Sequence, residues 1–171
     1  SGSLGRAKAV MLCQKNLASN LMRMVRMMSI FSEDRFLSVL PMHHTYECTC
    51  GFLCPLYGGA SAHYARSLKT VVEDLQTVRA TMLLAVPLLY DKMFKRIYKG
   101  ISEKKVASML IGPMIKASDV MERVGWKSCK RMIFKEIHDR FGGSIRCFIA
   151  GGAAQDPAVA KGLREFGFSF I

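Results

Sequence analysis

Three stretches of the chain hold residues whose types and spacing can do chemistry. The first is the opening, SGSLGRAKAV, where two glycines, two serines and Lys8 fall within eight residues. Glycine lets backbone N–H groups converge on an anion, serine hydroxyls add donors and lysine adds charge. Ser1, Ser3 and Lys8 therefore suit a triphosphate. The GxxxxGK(S/T) pattern of an ordinary NTPase loop is absent, and on composition alone a flexible terminus is the simpler account. The second stretch, HHTYECTCGFLC, brings His43, His44, Cys48, Cys50 and Cys54 within twelve residues. Such donors suit zinc, yet the paired CxxC knuckle is missing, and Cys50 and Cys54 fall at i and i+4, where they read as apolar helix positions. Two adjacent histidines after a buried strand fit a substrate-facing role, or simple hydrogen bonding within the fold. The third stretch, AGGAAQDP, holds Gly151, Gly152 and Ala153. Small residues there let flat or bulky ligand atoms approach the backbone; taken alone, a tight turn is the simpler account.

A basic run adds Lys92, Lys95, Arg96, Lys99, Lys104 and Lys105. It suits an anionic membrane or a phosphorylated coenzyme, and a solvated helix face is the more ordinary account. Nucleic acid calls for aromatics interleaved with the charges. Here Phe94 falls with the apolar stripe, leaving mainly Tyr98, so no nucleic-acid partner is expected.

These stretches must be positioned by regular elements. Apolar residues at Leu17, Leu21, Met24, Val25 and Met28 give helical spacing, so Lys15 to Met28 reads as an amphipathic helix. Residues 36–40 read as a buried strand stopped by Pro41, then a loop leads to a helix over 51–57. A second strand is expected over 61–65. A helix capped by Ser67 follows, then a third strand over 81–86 and a helix begun by Pro87 with Leu89, Met93, Phe94 and Ile97 buried. Residues 102–124 read as helical but interrupted at Gly112-Pro113, and 127–141 as one further helix. A fourth strand over 145–149, a helix capped by Asp156 and begun by Pro157, and a fifth strand over 168–171 complete the order. Short, apolar strands alternating with helices predict an α/β fold: a doubly wound, mostly parallel sheet with helices on both faces. Ligands in such sheets bind outside the carboxyl ends of the strands, where the second and third stretches fall.

Composition bounds the function. The 171 residues are half hydrophobic and 22% charged, which fits one packed domain and excludes a disordered chain. The net charge of +12 suits a polyanionic partner without choosing one. The longest apolar run, Met82 to Tyr90, is nine residues and contains Pro87, too short to span a membrane. No signal peptide is visible, and the six cysteines read as reduced, so a cytoplasmic location is expected, with peripheral membrane contact open. The first residue is not Met and the last lie inside an expected strand, so the chain reads as a piece of a larger protein; a cloning scar is the other account of SGS.

Taken in order, the three stretches resemble the adenylate-forming enzymes. SGSLGRAKAVMLCQKNL is similar to their phosphate loop, (S/T)SGTTGxPKGVxLTHxNL. LSVLPMHHTYECTCGFLCPLYGGA resembles the LPLHHxYE signature of long-chain fatty acyl-CoA synthetases, and IRCFIAGGAAQDPAVAKGLREFGF their GGAxLxPxxxxFxxxLG segment. The resemblance covers essentially the whole chain. It implies that residues 1–171 are part of the large N-terminal, AMP-binding domain, phosphate loop through GGA segment, with the C-terminal domain absent. The implied activity is ATP-dependent activation of a long-chain fatty acid to acyl-adenylate and then acyl-CoA, with these residues alone inactive. By position, Ser1, Gly2, Ser3, Gly5 and Lys8 would cradle the β- and γ-phosphates. His43 and His44 would lie by the reacting carboxylate and α-phosphate, as the catalytic pair. Gly151, Gly152 and Ala153 would line the adenine and acyl-adenylate site. ATP, Mg2+ (its glutamate ligand outside this chain) and coenzyme A are the implied cofactors and co-substrate, and no metal ligand is expected within it. Leu4 stands where the family has a hydroxyl, Ala7 and Ala9 where it has proline and glycine, and Cys13-Gln14 where it has Thr-His, which predicts weakened ATP binding. The implied partners are fatty acid and nucleotide, with membrane contact and homo-oligomerisation open. The alternatives are an adenylate-former for aryl or amino acids, a non-catalytic basic membrane-surface module, and a zinc module.

Overall fold

A computed structural model describes residues 9–103, 105–126 and 128–171. Five short strands, β1 (Arg35–Ser38), β2 (Ser61–Tyr64), β3 (Met82–Ala85), β4 (Cys147–Ala150) and β5 (Ser169–Phe170), form one sheet in the order β2-β1-β3-β4-β5. Every pairing is parallel, with Leu37 opposite both His63 and Leu83, and Leu83 opposite Phe148. The expected fold class stands.

The pleat explains why the central strands β3 and β4 read as continuously apolar. Successive side chains point to opposite faces. Met82 and Leu84 enter one core with Phe36, Cys147 and Ile149, while Leu83 and Ala85 enter the other with Leu37 and Phe148. Both faces are covered, so no position of β3 is left for a polar residue. The first core is closed by α1 (Gln14–Met28), a π-helix (Glu47–Leu53) and its continuation α2 (Cys54–Tyr57), through Leu21, Met24, Val25, Met28, Cys50 and Cys54. Leu17 does not join it and stays exposed. The second core is closed by α3 (Val71–Val78), α4 (Pro87–Ser102), α5 (Lys105–Arg123), α6 (Cys129–Ile133), α7 (Lys135–Arg140) and α8 (Pro157–Glu165).

Several boundaries differ from the sequence reading, each for a local reason. The helix expected over 51–57 starts earlier, because Glu47 and Cys50 are drawn into the core beneath β1. Thr70, not Ser67, precedes α3; Ser67 and Thr70 instead close a turn on each other, Thr70 N–H donating to Ser67 Oγ over 3.3 Å and Ser67 N–H to Thr70 Oγ1 over 3.1 Å. α5 runs unbroken through Pro113, held by Ile111, Met114 and Ile115 against the second core. The helix expected over 127–141 is broken into α6 and α7 at buried Phe134, whose ring meets Phe166 edge-on at 5.3 Å. Asp156 and Pro157 begin α8 as expected, Asp156 Oδ1 accepting from Ala158 N–H at 2.8 Å.

Where the strands begin, the sheet is tied by charge. Asp34, just before β1, is 3% exposed and accepts from Thr81 Oγ1 at 2.7 Å, Arg146 Nε at 2.8 Å and Phe31 N–H at 2.9 Å. Arg146 Nη2 also pairs with Asp34 Oδ2 and donates to Ser29 O at 2.6 Å. Burial alone would push the Asp34 carboxyl up, but these donors, Arg146 foremost, outweigh it and hold it below the usual range.

Candidate active site

The order β2-β1-β3-β4-β5 reverses direction at β1, placing a crevice at the carboxyl ends of β1 and β3. The loop after β1 carries His43 and His44; the loop after β4 carries Gly151, Gly152 and Ala153. They meet across the end of β3. The link is Tyr46, which crosses from the first loop to lie flat against the second. A Cβ added at Gly151 would fall 2.2 Å from Tyr46 Cζ, so only glycine leaves room for the ring. The Tyr46 hydroxyl donates to Ile149 O at 3.4 Å. Burial, with Cys50 and Glu47 close by, pushes its phenol well above the usual range, so it stays a neutral donor. Gly152 turns the loop at φ +84°, a conformation that favours glycine.

Behind this contact the floor is rigid. Tyr90, fully buried on α4, donates to Leu83 O at 2.8 Å and lies 3.0 Å from Ile149 O, while Ile149 N–H donates to the same hydroxyl at 3.2 Å. Gln155 Nε2 donates to Asp91 Oδ1 at 2.8 Å, fastening the end of the glycine loop to α4.

Both histidines are exposed, beside this floor. Tyr46 N–H donates to His44 Nδ1 at 3.2 Å. That bond leaves the ring proton on Nε2 of the neutral imidazole, which can donate to an anionic oxygen. Among the described residues the crevice offers donors and small residues, as suits a reaction whose nucleophile is already an anion.

The turn places one further group that sequence reasoning left unassigned. Glu47 is fully buried at the start of the π-helix, and neither carboxylate oxygen meets a hydrogen-bond partner among the described residues. Burial raises its pKa; Ser38, at the end of β1, opposes that only weakly, being outside good hydrogen-bond geometry. Gly51 makes the space: a Cβ there would fall 2.3 Å from Glu47 Oε1. Tyr46 and Glu47 stand in the quoted HHTYE stretch, and their signal was available as an aromatic and an acid next to the histidines.

Ser1, Gly2, Ser3, Gly5 and Lys8 lie outside the described residues. Cys50 and Cys54 are core residues, and the described residues hold no group of three or more His, Cys, Asp or Glu side chains able to bind a metal. They therefore offer no ready-made zinc site. No described helix is long and apolar enough to cross a membrane.

Comparison with known proteins decides the family. A model of the AMP-binding enzymes matches residues 1–170. The chain belongs to the AMP-binding enzyme family. It is 27% identical over 178 aligned residues to long chain acyl-CoA synthetase 6, peroxisomal, of Arabidopsis thaliana, which covers 96% of this chain and 24% of that protein. Long-chain-fatty-acid–CoA ligase 1 of Homo sapiens is 25% identical, over 96% of this chain and 24% of that protein. The AMP-binding chain thus spans about a quarter of the length of these relatives. Among solved structures, apo MatB from Rhodopseudomonas palustris superposes with a TM-score of 0.65 at 20% identity, over 99% of this chain and 26% of that one. O-succinylbenzoate coenzyme A synthetase (MenE) from Bacillus subtilis, in complex with AMP, gives 0.65 at 17%, over 99% and 27%. These likenesses show the fold of adenylate-forming enzymes.

Proposed function

We propose that the chain is the nucleotide-binding part of the N-terminal domain of a long-chain fatty acyl-CoA synthetase. The observation that carries the site is the seating of Tyr46 on Gly151, which joins the histidine loop to the glycine loop at the carboxyl edge of the sheet. The substrate class rests on the long-chain acyl-CoA synthetases among its relatives and on the HHTYE stretch.

In this reading, Ser1, Gly2, Ser3, Gly5 and Lys8 cradle the β- and γ-phosphates of ATP, and Gly151, Gly152 and Ala153 flank the adenine and acyl-adenylate. A carboxylate oxygen of the fatty acid attacks the α-phosphorus. The new C–O–P bond forms as the bond to the bridging oxygen breaks, and pyrophosphate leaves with that electron pair. His43 and His44 donate to the developing charge and move no proton in this step. The sulfur of coenzyme A then attacks the acyl carbonyl as its thiol proton passes to solvent; the C–S bond forms, the acyl C–O bond breaks, and AMP leaves with that electron pair. Mg2+ when bound would neutralise phosphate charge. The 171 residues bind nucleotide but do not complete the reaction by themselves.

The test is fatty-acid-dependent release of pyrophosphate from ATP by the protein at its natural length, with Lys8→Ala and His44→Ala. Loss of about tenfold to a thousandfold in rate is expected for each. Wild-type rates in both variants would remove these residues from the site. Release with an aryl or amino acid in place of a long-chain acid would move the substrate class and leave the family.

A further inference from the structure

The basic run of α4 is not used by this chemistry. Lys92, Lys95, Arg96 and Lys99 fall at i, i+3, i+4 and i+7, so the helix carries them on one face, and all four are exposed. That face does not look out over plain solvent. It forms one wall of a groove of about 500 Å3 whose other wall is the loop into α3 and its first turn. The floor is apolar: Val71, Val72, Leu89 and Met93. Lys69 and exposed Leu68 stand at the α3 rim.

The chemistry of this lining is narrow. Every lining residue is either cationic or apolar; none is an acid, hydroxyl or amide. The acids nearby are engaged elsewhere: Arg66 takes Glu73 at 3.2 Å and Asp74 at 2.6 Å, and Asp91 holds Gln155. None of the five cations makes an ion pair with a described residue. Aromatic platforms are absent from the lining too. Phe94 and Tyr98 pack on each other with tilted rings at 4.6 Å, and Tyr98 also packs against Phe166, which follows α8. A base or sugar would find neither stacking nor hydrogen-bond readout here. A molecule with an anionic head and an apolar body finds both of its needs.

We propose that the groove between α3 and α4 seats an anionic phospholipid, docking the protein on a membrane surface. The phosphate and headgroup charge sit among Lys92, Lys95, Arg96 and Lys99. The upper acyl chain lies on Leu89 and Val72, with Leu68 at the bilayer boundary. The proposal stands apart from the acyl-CoA synthetase reading, because its readout is binding to a lipid surface and not turnover.

The experiment is co-flotation of the natural-length protein with phosphatidylcholine vesicles, with and without phosphatidylserine, at low and high salt. Binding is expected only with phosphatidylserine and is expected to fall with salt. Joint replacement Lys95→Gln, Arg96→Gln and Lys99→Gln should weaken it about a hundredfold, at about fivefold per cation. Leu68→Ser, at an exposed site, should weaken it several-fold with an unchanged salt slope. Equal binding by the triple variant overturns the proposal. So does release by free ATP, which would make the groove a phosphate site. Lost thermal stability in the triple variant with vesicle binding unchanged would make it an internal contact and overturn it as well.

Discussion

At the end where its strands begin, the sheet is closed by a network in which every charge has a partner: Asp34 receives Thr81, Arg146 and Phe31, and Arg146 reaches on to Ser29. At the end where the strands finish, polar groups are open to solvent or lack a partner among the described residues. His43 and His44 are exposed, and Glu47 is buried without a partner. Removing one partner of such a charged network is costly because it strands the other, whereas an unpartnered buried acid costs stability as it stands and is kept where something must bind. In the proposed reading one edge carries structure and the other chemistry, in a molecule whose central strand β3 is buried throughout.

The largest effect should come from breaking the satisfied end. Asp34→Ala leaves Arg146 and Thr81 without their acceptor and should cost about 3 kcal/mol in denaturant unfolding, with ATP affinity of the folded fraction unchanged. Because the Asp34 pKa is lowered, its contribution is full above the ordinary carboxyl range, about pH 4, and is lost as pH falls through its folded value. Acid titration of stability should therefore flatten in the variant. Next comes Gly151→Ala, whose methyl collides with Tyr46. It should cost about 2 kcal/mol from overpacking and weaken ATP binding at least about tenfold.

Glu47→Gln should act with the opposite sign. Burial raises the Glu47 pKa, so between the unfolded carboxyl value and its own folded value the native state holds the extra proton. Stability then falls as pH rises through that window. The amide removes this penalty, and the melting temperature at neutral pH should rise, by about 1 kcal/mol of stability. The smallest effect belongs to Tyr46→Phe, which gives up only a 3.4 Å hydrogen bond: under about 1 kcal/mol, with ATP affinity nearly unchanged.

Much of this was legible in the sequence because each signal was local. Pro87 and Asp156-Pro157 start helices where the backbone chemistry of proline and a capping acid requires it, and the apolar strand at 82–85 announces burial on both faces. What was not legible depends on contacts distant along the chain. Tyr46 finds Gly151 more than a hundred residues away, and Arg146 finds Asp34 over a similar span. No spacing rule carries such pairs. Gly112-Pro113 misled because proline's local preference was overridden by the packing of Ile111, Met114 and Ile115, and Phe134 broke a helix because its ring was needed against Phe166. The Ser1 to Lys8 assignment rests on resemblance to the phosphate loop and lies outside the described residues.

The most direct test of the division between the two edges is calorimetric titration of ATP into wild type, Gly151→Ala and Thr81→Val. Thr81→Val removes one bond to Asp34 and one from Arg35 N–H, so both variants lose stability, at opposite edges of the same sheet: Thr81 precedes β3 and Gly151 follows β4. The account predicts that Thr81→Val keeps the wild-type affinity while Gly151→Ala loses at least about tenfold. Equal affinity in all three, or equal loss in both variants, would contradict the assignment of nucleotide binding to the carboxyl edge of the sheet.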